Sequence, residues 1–421
     1  MQPVCLDDII KYIEFHGLRG WLIKALASSF REARKNKLKT FNEHRYDTNW
    51  FENIIHLADA VLERYYQPSS SISFVVYEPM IREIFAAPFV DRVIHHFLYQ
   101  MQAGWWDRRL IPDAYSCRIG KGTLYAVQRV QRMMQLASHN FTEEAFVMKI
   151  DISGYFMSLP REKLLARVKW GLDHQFARYM NNSAGRELYK LCYFLWHQIL
   201  LDDPVSKSHR RGTEYDWKVL PPEKSLYTRP PGRGIVIGNL TSQLVSNIYL
   251  DQLDRFMKFD LGYDYYGRYV DDIIRIVNVR DYERAKADNK VIENYLKDEL
   301  ELTMHPKKRY CQSIYKGVPF LGARIYPHCL YPSNRIQAKF KRALAKFSTG
   351  EIKDETLASY LGFLEHLDAD KYVKYMFEKY GYDFKLYQEF KDKKHRRNVR
   401  QILDDLRSGG GSREKKEETK G

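Results

Sequence analysis

Three aspartates stand where β-prone segments turn or end. Asp271 and Asp272 are adjacent within segment 265–277, and this pattern predicts a hairpin with two carboxylates at its turn. Asp151 lies at the end of an earlier apolar segment, 146–152. Like charges side by side repel each other unless cations or solvent screen them. Mg²⁺ prefers oxygen ligands, and two such ions about 4 Å apart can bracket the attacking and leaving oxygens of an in-line phosphoryl transfer. The sequence therefore predicts a two-metal site at these aspartates.

The composition indicates a basic globular protein that acts on a polyanion. Of the 421 residues, 44% are hydrophobic, which is enough for a substantial core and two or three subdomains. The net charge of +15 favours nucleic acid as partner, although membranes and simple solubility compete with that interpretation. The five scattered cysteines lack zinc-type spacing and favour a reducing compartment. Neither a secretory signal nor a membrane-length apolar run is found, so we expect a cytoplasmic protein with no membrane partner.

A glycine-punctuated basic loop, 114–123, precedes a helix predicted over 124–137. Backbone N–H groups and cations at a helix N-terminus can bind phosphate, although this loop lacks the full P-loop signature. Arg118 and Lys121 are our candidates for contacts to an incoming triphosphate. Further along, Lys308 follows a helix predicted over 281–302. A lysine over the triphosphate can serve as general acid for the leaving pyrophosphate or as a phosphate clamp.

Other charged residues have simpler interpretations. His95 and His96 are adjacent and therefore point to different faces of a predicted helix, which favours structural roles. Asp251 and Asp254 have helical spacing within the long helix predicted beyond residue 243, and we predict structural roles for them too. The basic run 31–37 is most simply a solvated helix face, with contact to the template backbone as the alternative.

An isolated Asp-Asp pair is usually a solvated turn, but the surroundings of this pair are specific. Lys-Ile-Asp-Ile-Ser-Gly-Tyr-Phe around Asp151 and Tyr-Val-Asp-Asp at 269–272 resemble the palm of a reverse transcriptase. The resemblance covers roughly residues 30–370 and implies an α+β right-hand polymerase fold with fingers, palm and helical thumb. The expected regions are an N-terminal helical region 1–68, fingers 69–145, a palm 146–333 with an insertion at about 178–226, a thumb 334–406, and a disordered tail 407–421.

The same resemblance implies roles for individual residues. Phe156 would pack beneath the nucleotide sugar and exclude a 2′-hydroxyl, with a core aromatic as the alternative. Tyr269 and Val270 would lie beside the primer end. The ions would be two Mg²⁺, for which Mn²⁺ can substitute. The metal ligands that the resemblance implies are Asp151, Asp271 and Asp272, with the backbone carbonyl of Ile152 as a further ligand.

The loop before the long helix narrows the resemblance. Most reverse transcriptases have Gln-Gly, three residues and Ser-Pro there, whereas this chain has Ile-Gly-Asn-Leu-Thr-Ser-Gln at 237–243. That departure is similar to the reverse transcriptases of diversity-generating retroelements, which misincorporate opposite template adenines. Isoleucine cannot make the hydrogen bond that glutamine offers near the nucleotide, and a lost polar contact weakens selection between right and wrong pairs. We therefore place Ile237, Gly238 and Gln243 at the nucleotide and expect low fidelity at adenine, with Arg118 as a second contributor; the lost contact does not explain why adenine is the misread base.

A member of that group would copy a template-repeat RNA into cDNA for mutagenic retrohoming. Its implied partners are that RNA, the RNA/cDNA duplex, dNTPs and a small, basic, oligomeric accessory variability determinant protein, in a bacterial cell. Two alternatives stay open. One is another bacterial reverse transcriptase, of the phage-defence, retron or intron type, without adenine mutagenesis. The other is a non-catalytic RNA-binding scaffold that kept the fold.

Overall fold

The computed structural model of the chain describes residues 5–35, 48–78, 80–392 and 399–409. The fold is mixed, with helices packed around a four-stranded antiparallel sheet. The α-helices of the described residues are α1 Leu6–Arg34, α2 Trp50–Leu62, α3 Phe89–Asp107, α4 Thr123–Ala137, α5 Tyr155–Ser158, α6 Arg161–Phe176, α7 Ser183–Leu201, α8 Glu214–Val219, α9 Leu240–Arg255, α10 Tyr282–Asp298, α11 Asn334–Ser348, α12 Asp354–Leu364, α13 Asp370–Lys379, α14 Phe384–Lys391 and α15 Val399–Gly409.

Three sheets are present in the described part of the chain. The central one has the order β5-β6-β3-β7, and two smaller three-stranded sheets have the orders β2-β1-β4 and β10-β9-β8. The strands are β1 Ile72–Val76, β2 Arg82–Ala86, β3 Ala145–Asp151, β4 His209–Arg210, β5 Tyr266–Tyr269, β6 Asp272–Asn278, β7 Tyr310–Ser313, β8 Val318–Phe320, β9 Ala323–Ile325 and β10 Leu330–Pro332.

The central sheet separates two hydrophobic cores because side chains alternate between its faces. On the first face, Met148 and Ile150 of β3 and Ile273 of β6 join a core that also includes residues of α1, α3, α6, α7, α9 and α10. On the second face, Val147 of β3 and Ile274 of β6 join a core built with α4, the β8–β9 hairpin and the C-terminal helices. Asp151 is four residues from Val147 and Asp272 is two residues from Ile274, so the side chains of both aspartates lie on the second face.

Most helices lie where the sequence predicts them, including α4, α9 and the basic helices α11 to α14. The segment predicted as an insertion, 178–226, is joined to the small sheet of β1 and β2. Its strand β4 runs parallel to β1, where the N–H of His209 donates to the carbonyl of Ser71 at 2.9 Å. The parallel pairing joins segments far apart in sequence, which a local pattern does not reveal.

The last helix extends into the segment predicted as a disordered tail. We expected disorder from residue 407, but α15 continues to Gly409, and Arg407 donates to Asp354 at 2.5 Å and lies over the Phe347 ring. The rest of the tail, residues 410–421, and part of the basic runs 31–37 and 391–400 lie outside the described residues. No described helix combines the length and apolar character needed to cross a membrane.

Candidate active site

Asp151 and Asp272 face each other across two neighbouring strands. Residues 145–151 of β3 pair with 272–278 of β6 in antiparallel register, and Asp151 is the direct partner of Asp272. Partners in such a pair have Cα atoms about 4.5–5.5 Å apart, and their side chains lie on the same face. The apolar runs of both strands fix this register, because a slip of one residue would turn the buried side chains to the wrong face. Two carboxylates separated by more than a hundred residues in sequence thus meet at the ends of two neighbouring central strands.

Asp271 lies at the turn of the β5–β6 hairpin, as the sequence predicts. The preceding Val270 has a φ of +55°, in the left-handed region that β-branched residues rarely adopt. Two contacts hold this conformation: the N–H of Val270 donates to Ser116 Oγ at 3.2 Å, and Arg268 Nη1 donates to the Val270 carbonyl at 3.0 Å. Tyr269, predicted near the primer end, is half-buried and packs against the second core.

A buried ion pair supports the turn from the first face of the sheet. The guanidinium of Arg268 donates to both carboxylate oxygens of Asp254, at 2.8 Å and 2.7 Å, and both side chains are fully buried. Burial opposes the charged form of Arg268, but the Asp254 carboxylate outweighs it and keeps the pKa of Arg268 above its ordinary value. Asp254 is therefore structural, as predicted. The sequence analysis did not predict that its partner Arg268 is buried. The one available signal was that Arg268 lies two residues after Tyr266 in a β-prone segment.

The three carboxylates influence one another electrostatically. Burial, together with the charges of Asp151 and Asp272, raises the pKa of Asp271 to about 6. Lys308 Nζ donates to Asp151 Oδ2 at 2.5 Å, and that hydrogen bond, with the charges of all three aspartates, raises the pKa of Lys308. One ammonium group therefore lies within electrostatic reach of every predicted metal ligand. The two predicted roles of Lys308, phosphate clamp and general acid, both stay predictions.

A second lysine, Lys149, was missed by the sequence analysis. Its Nζ lies 3.4 Å from Asp272 Oδ1 and donates to the Pro319 carbonyl at 3.1 Å, and its side chain is only 18% exposed. Lys149 and Asp151 are two residues apart on β3, so both side chains lie on the second face of the sheet. The sequence signal that could have found Lys149 was its spacing of two residues from an aspartate predicted at the end of a strand.

The donor set fits hard, oxygen-seeking cations. Mg²⁺ prefers carboxylate ligands. Burial, and then the repulsion from the other aspartates, raises the pKa of Asp271, and a bound cation would counteract that repulsion. As the side chains lie, however, no three Asp, Glu, His or Cys side chains of the described residues converge as a single metal cluster. Ile152, the predicted carbonyl ligand, is buried and forms an isolated antiparallel bridge with Met304. The metal roles therefore stay a prediction.

Arg118 is held by hydrogen bonds within its own loop. Its side chain is only 7% exposed, and its guanidinium donates to Asp107 Oδ1 at 2.6 Å and to the carbonyls of Asp107, Ile111 and Ala114 at 2.7–3.0 Å. A guanidinium with those four hydrogen bonds holds the loop 107–118 together, and binding a triphosphate would require breaking them. The nucleotide contact and the part in fidelity stay predictions for Arg118.

Lys121 remains available to an anion. It is half-buried, donates to the Pro112 carbonyl and lies over the Tyr125 ring at 5.2 Å. Burial and the neighbouring Arg118 lower the pKa of Lys121. It has no carboxylate within ion-pair distance among the described residues, unlike Arg118, although Asp113 and Asp107 act on it from further away.

Phe156 is hydrogen-bonded to the segment that leads into the loop 237–243. The carbonyl of Phe156 accepts a hydrogen bond from the N–H of Ile235 at 2.9 Å, which ties the residue to that loop. The Phe156 ring is half-buried and packs edge-on against Tyr155 at 5.4 Å between ring centroids. Either predicted role, sugar contact or core aromatic, is compatible with this partial exposure.

Ile237 and Gly238 join the loop to the β1–β2 hairpin. The side chain of Ile237 packs against a small cluster that contains Phe85 and Met157, and its carbonyl accepts from the N–H of Phe85 at 3.0 Å. Gly238 has a φ of +130°, and a Cβ there would lie 2.7 Å from the Phe85 carbonyl, so only glycine fits. Gln243 is exposed in the first turn of α9 and lines a cleft of about 280 Å³ together with Gly238.

The remaining charged candidates are structural, as predicted. His95 is buried and its Nδ1 lies 2.8 Å from Thr241 Oγ1; burial lowers the pKa of His95 to about 3. Asp251 is buried and accepts from Arg167 at 2.7 Å and from Arg255 at 3.0 Å. These contacts join α3, α6 and α9 behind the first face of the sheet.

The chain is similar in structure to telomerases from two yeasts. The telomerase of Candida tropicalis, solved with a TWJ fragment of telomeric RNA, superimposes with a TM-score of 0.43 and 12% sequence identity over 82% of this chain. The telomerase of Candida albicans, solved with the same kind of fragment, gives a TM-score of 0.43 and 11% identity over 82% of this chain. The chain spans 59% and 64% of those two proteins. No protein-family model and no curated protein matches the chain.

Proposed function

We propose that this protein is an RNA-directed DNA polymerase that uses Asp151, Asp271 and Asp272 for two-metal nucleotidyl transfer. The observation that carries the proposal is the direct register pairing of Asp151 with Asp272, with Asp271 at the adjoining turn. Three carboxylates at one sheet edge, on a chain of net charge +15, combine a site for cations with an overall attraction for polyanions.

The chain's own groups divide the work at this site. The aspartates would hold two Mg²⁺ ions, which when bound supply Lewis-acid stabilisation of the reacting oxygens. Lys308 is 62% exposed at the side chain and stays protonated, so it can leave Asp151 for a phosphate of the incoming dNTP. Lys149, held by the Pro319 carbonyl, orients Asp272. The Arg268–Asp254 pair keeps the turn rigid, which positions Asp271.

The loop 237–243 and Phe156 form the proposed nucleotide side of the site. Phe156 lies five residues beyond Asp151 and is tied to the loop at Ile235, so its ring can contact the sugar. We further propose the diversity-generating type, with errors at template adenines, from the Ile-Gly at 237–238 and the Ser-Gln at 242–243. Under that proposal the partners are a template-repeat RNA, dNTPs and a basic accessory variability determinant protein.

Primer extension on an adenine-containing RNA template with Mg²⁺, followed by sequencing of the cDNA, tests both levels of the proposal. Wild type should extend the primer with errors concentrated opposite adenine, and Ile237→Gln should reduce those errors because glutamine restores a polar contact. Asp271→Asn/Asp272→Asn serves as the inactive reference and should lose at least about a thousandfold in rate.

Each outcome of that experiment has a distinct meaning. Accurate copying would contradict the adenine-mutagenic type and leave another bacterial reverse transcriptase. Extension that survives in the double aspartate variant would contradict the assigned site. If wild type extends nothing alone, the assay is repeated with the accessory protein and native RNA, and continued inactivity there would contradict the enzyme.

A non-catalytic RNA-binding scaffold is the second candidate, and one observation favours it. Asp151 and Asp272 are each compensated by a lysine, so the site is electrostatically satisfied in part without any ion. A scaffold would bind RNA equally well with and without Mg²⁺ and with Asp271→Asn/Asp272→Asn. A polymerase would show Mg²⁺-dependent extension that this variant abolishes.

A further inference from the structure

Behind the first face of the sheet, a groove crosses the C-terminal half of α3. One part of it, about 590 Å³, is bounded by the start of α1, by α3 and by the end of α6. The other part, about 380 Å³, lies between α3, the loop 117–119 and α9. Gln100, Gly104 and Arg108 line both parts, so the two parts adjoin along one ridge of α3, and we call them together the α3 groove.

The α3 groove carries positive charge without matching carboxylates. Arg108 and Arg109 are exposed at its rim, and among the described residues neither has a carboxylate within ion-pair distance. Burial and the guanidiniums of Arg108 and Arg255 lower the pKa of Arg109, which shows that like charges crowd this end of α3. Nearby acidic side chains already have partners, since Asp107 pairs with Arg118 and Asp7 with Arg178.

An aromatic ring orients one arginine of this surface. The guanidinium of Arg109 lies 3.5 Å from the centroid of Trp105. Stacking fixes the plane of a guanidinium and leaves its outer N–H donors free for bidentate contacts to a phosphate. A compact charge such as a lysine ammonium has no such fixed geometry. The groove therefore presents one oriented guanidinium, that of Arg109, beside the exposed guanidinium of Arg108.

The groove and the carboxylate site lie on opposite sides of the central sheet. Met101 and Trp105 of α3 belong to the core of the first face, whereas Asp151 and Asp272 have the alternation of the second face. The part of the groove at the loop 117–119 comes close to the turn before Asp271, because Ser116 Oγ accepts from the N–H of Val270. Arg109 lines the other part, between α1 and the end of α6. A long or folded RNA can contact both sides.

We propose that the α3 groove is a second RNA-binding site that grips the phosphate backbone of a structured RNA away from the carboxylate centre. This inference rests on the proposed function, because it supposes that the chain acts on RNA. A linear polyanion suits the groove better than a compact anion does, since two cavities adjoin along the helix, Arg108 lines both of them and Arg109 lines the first.

Binding of bulk transfer RNA, measured by fluorescence anisotropy over a range of salt, tests the proposal. Arg108→Gln/Arg109→Gln should weaken binding about tenfold and lower the slope of log affinity against log salt by about 1.5, as expected for two lost phosphate contacts. Arg108→Lys/Arg109→Lys should keep most of the slope but lose part of the affinity. The matched control, Lys286→Gln/Lys297→Gln, removes two exposed charges from α10 and should leave the affinity within about twofold.

Extension of a short primer–template by the same variants separates the groove from the active site. Arg108→Gln/Arg109→Gln should extend it at the wild-type rate. Unchanged transfer RNA binding, an equal loss in the α10 control, or an equal loss on the short primer–template would each overturn the proposal. So would polyglutamate that binds as tightly as transfer RNA and shows the same dependence on the arginines, since the groove would then fit an acidic protein. If the wild type extends no primer but the arginine variant still loses RNA binding, the proposed polymerase function is contradicted and the proposed RNA-binding site in the α3 groove is supported.

Discussion

On one side of the central sheet three carboxylates share two lysines, whereas behind the other side Arg108 and Arg109 have no carboxylate within ion-pair distance in the part of the chain that the structure describes. Between them lies a third arrangement, the buried pair of Arg268 and Asp254, in which charge is fully matched. The matched pair supports the fold, and the two unmatched surfaces are available to ligands of opposite charge. The net charge of +15 is thus distributed unevenly, with a negative surplus kept at one sheet edge.

This contrast distinguishes structural from functional charge in one molecule. A buried charge without a partner costs several kcal/mol, so a fold keeps such groups only in pairs. Exposed or half-buried charges of one sign are tolerated when a ligand or solvent can compensate them. Variants that lack the matched pair, one unmatched carboxylate or the unmatched arginines test this contrast.

Breaking the matched pair should have the largest effect on stability. Arg268→Met leaves the Asp254 carboxylate buried without its cation, and we expect a loss of about 3–5 kcal/mol in the free energy of unfolding. Chemical denaturation measures it. The matched control is Arg255→Gln, since Asp251 keeps Arg167 when the partly exposed Arg255 is lost, and it should cost less than about 1.5 kcal/mol. Equal losses in the two variants would contradict the contrast between them.

Removing one unmatched carboxylate should stabilise the protein in a pH-dependent way. The folded-state pKa of Asp271, about 6, lies above its ordinary value, so the folded state binds that proton more tightly. Protonated Asp271 therefore makes its full contribution to the free energy of unfolding below about pH 4, and that contribution is lost as the pH rises through 6. Asp271→Asn should exceed wild type by at most about 3 kcal/mol above pH 7 and by nothing near pH 4.

Thermal and chemical unfolding between pH 4 and pH 8 check that difference. Asp298→Asn, which removes an exposed carboxylate at the end of α10, should change stability by less than about 0.5 kcal/mol throughout. An Asp271→Asn protein that is less stable than wild type at pH 8 would show that the carboxylate is matched after all. The apparent Mg²⁺ requirement for primer extension should rise below pH 6, because the proton competes with the ion.

The arginines of the α3 groove should have the smallest effect on stability. Arg108→Gln/Arg109→Gln should stay within about 0.5 kcal/mol of wild type, with a slight gain at low salt that high salt removes, since repulsion among guanidiniums is relieved. Unfolding at two salt concentrations measures it. A loss of more than about 1 kcal/mol would mean that these residues hold the fold together.

How far the sequence predicts the structure depends on whether the signal is local. The hairpin at Asp271–Asp272 and the strand that ends at Asp151 follow from apolar patterns within a few residues. Helical spacing also predicts that Asp251 and Asp254 are structural. The parallel pairing of β4 with β1 joins residues 72 and 209, and no local pattern encodes such a contact.

Arg118 shows the limit for side chains. Its place in a basic, glycine-punctuated loop is typical of a phosphate contact, yet carbonyls of its own loop and Asp107 take its donors. Arg108 and Arg109, which follow α3 and which the sequence analysis passed over, have no carboxylate partner among the described residues. Whether a guanidinium is free depends on the tertiary positions of nearby carbonyl and carboxylate oxygens, and residue type and spacing do not contain those positions.

The most direct test of the account is to locate bound divalent ions by affinity cleavage. Fe²⁺ placed in the Mg²⁺ sites, with ascorbate and peroxide, cleaves the backbone near the ion, and mass spectrometry maps the cuts. The account predicts cuts close to Asp151 and close to the Asp271–Asp272 turn, which Mg²⁺ competes away and Asp151→Asn removes. Cuts elsewhere in the chain, or cuts at these positions that persist in Asp151→Asn, would contradict a metal centre at the three aspartates.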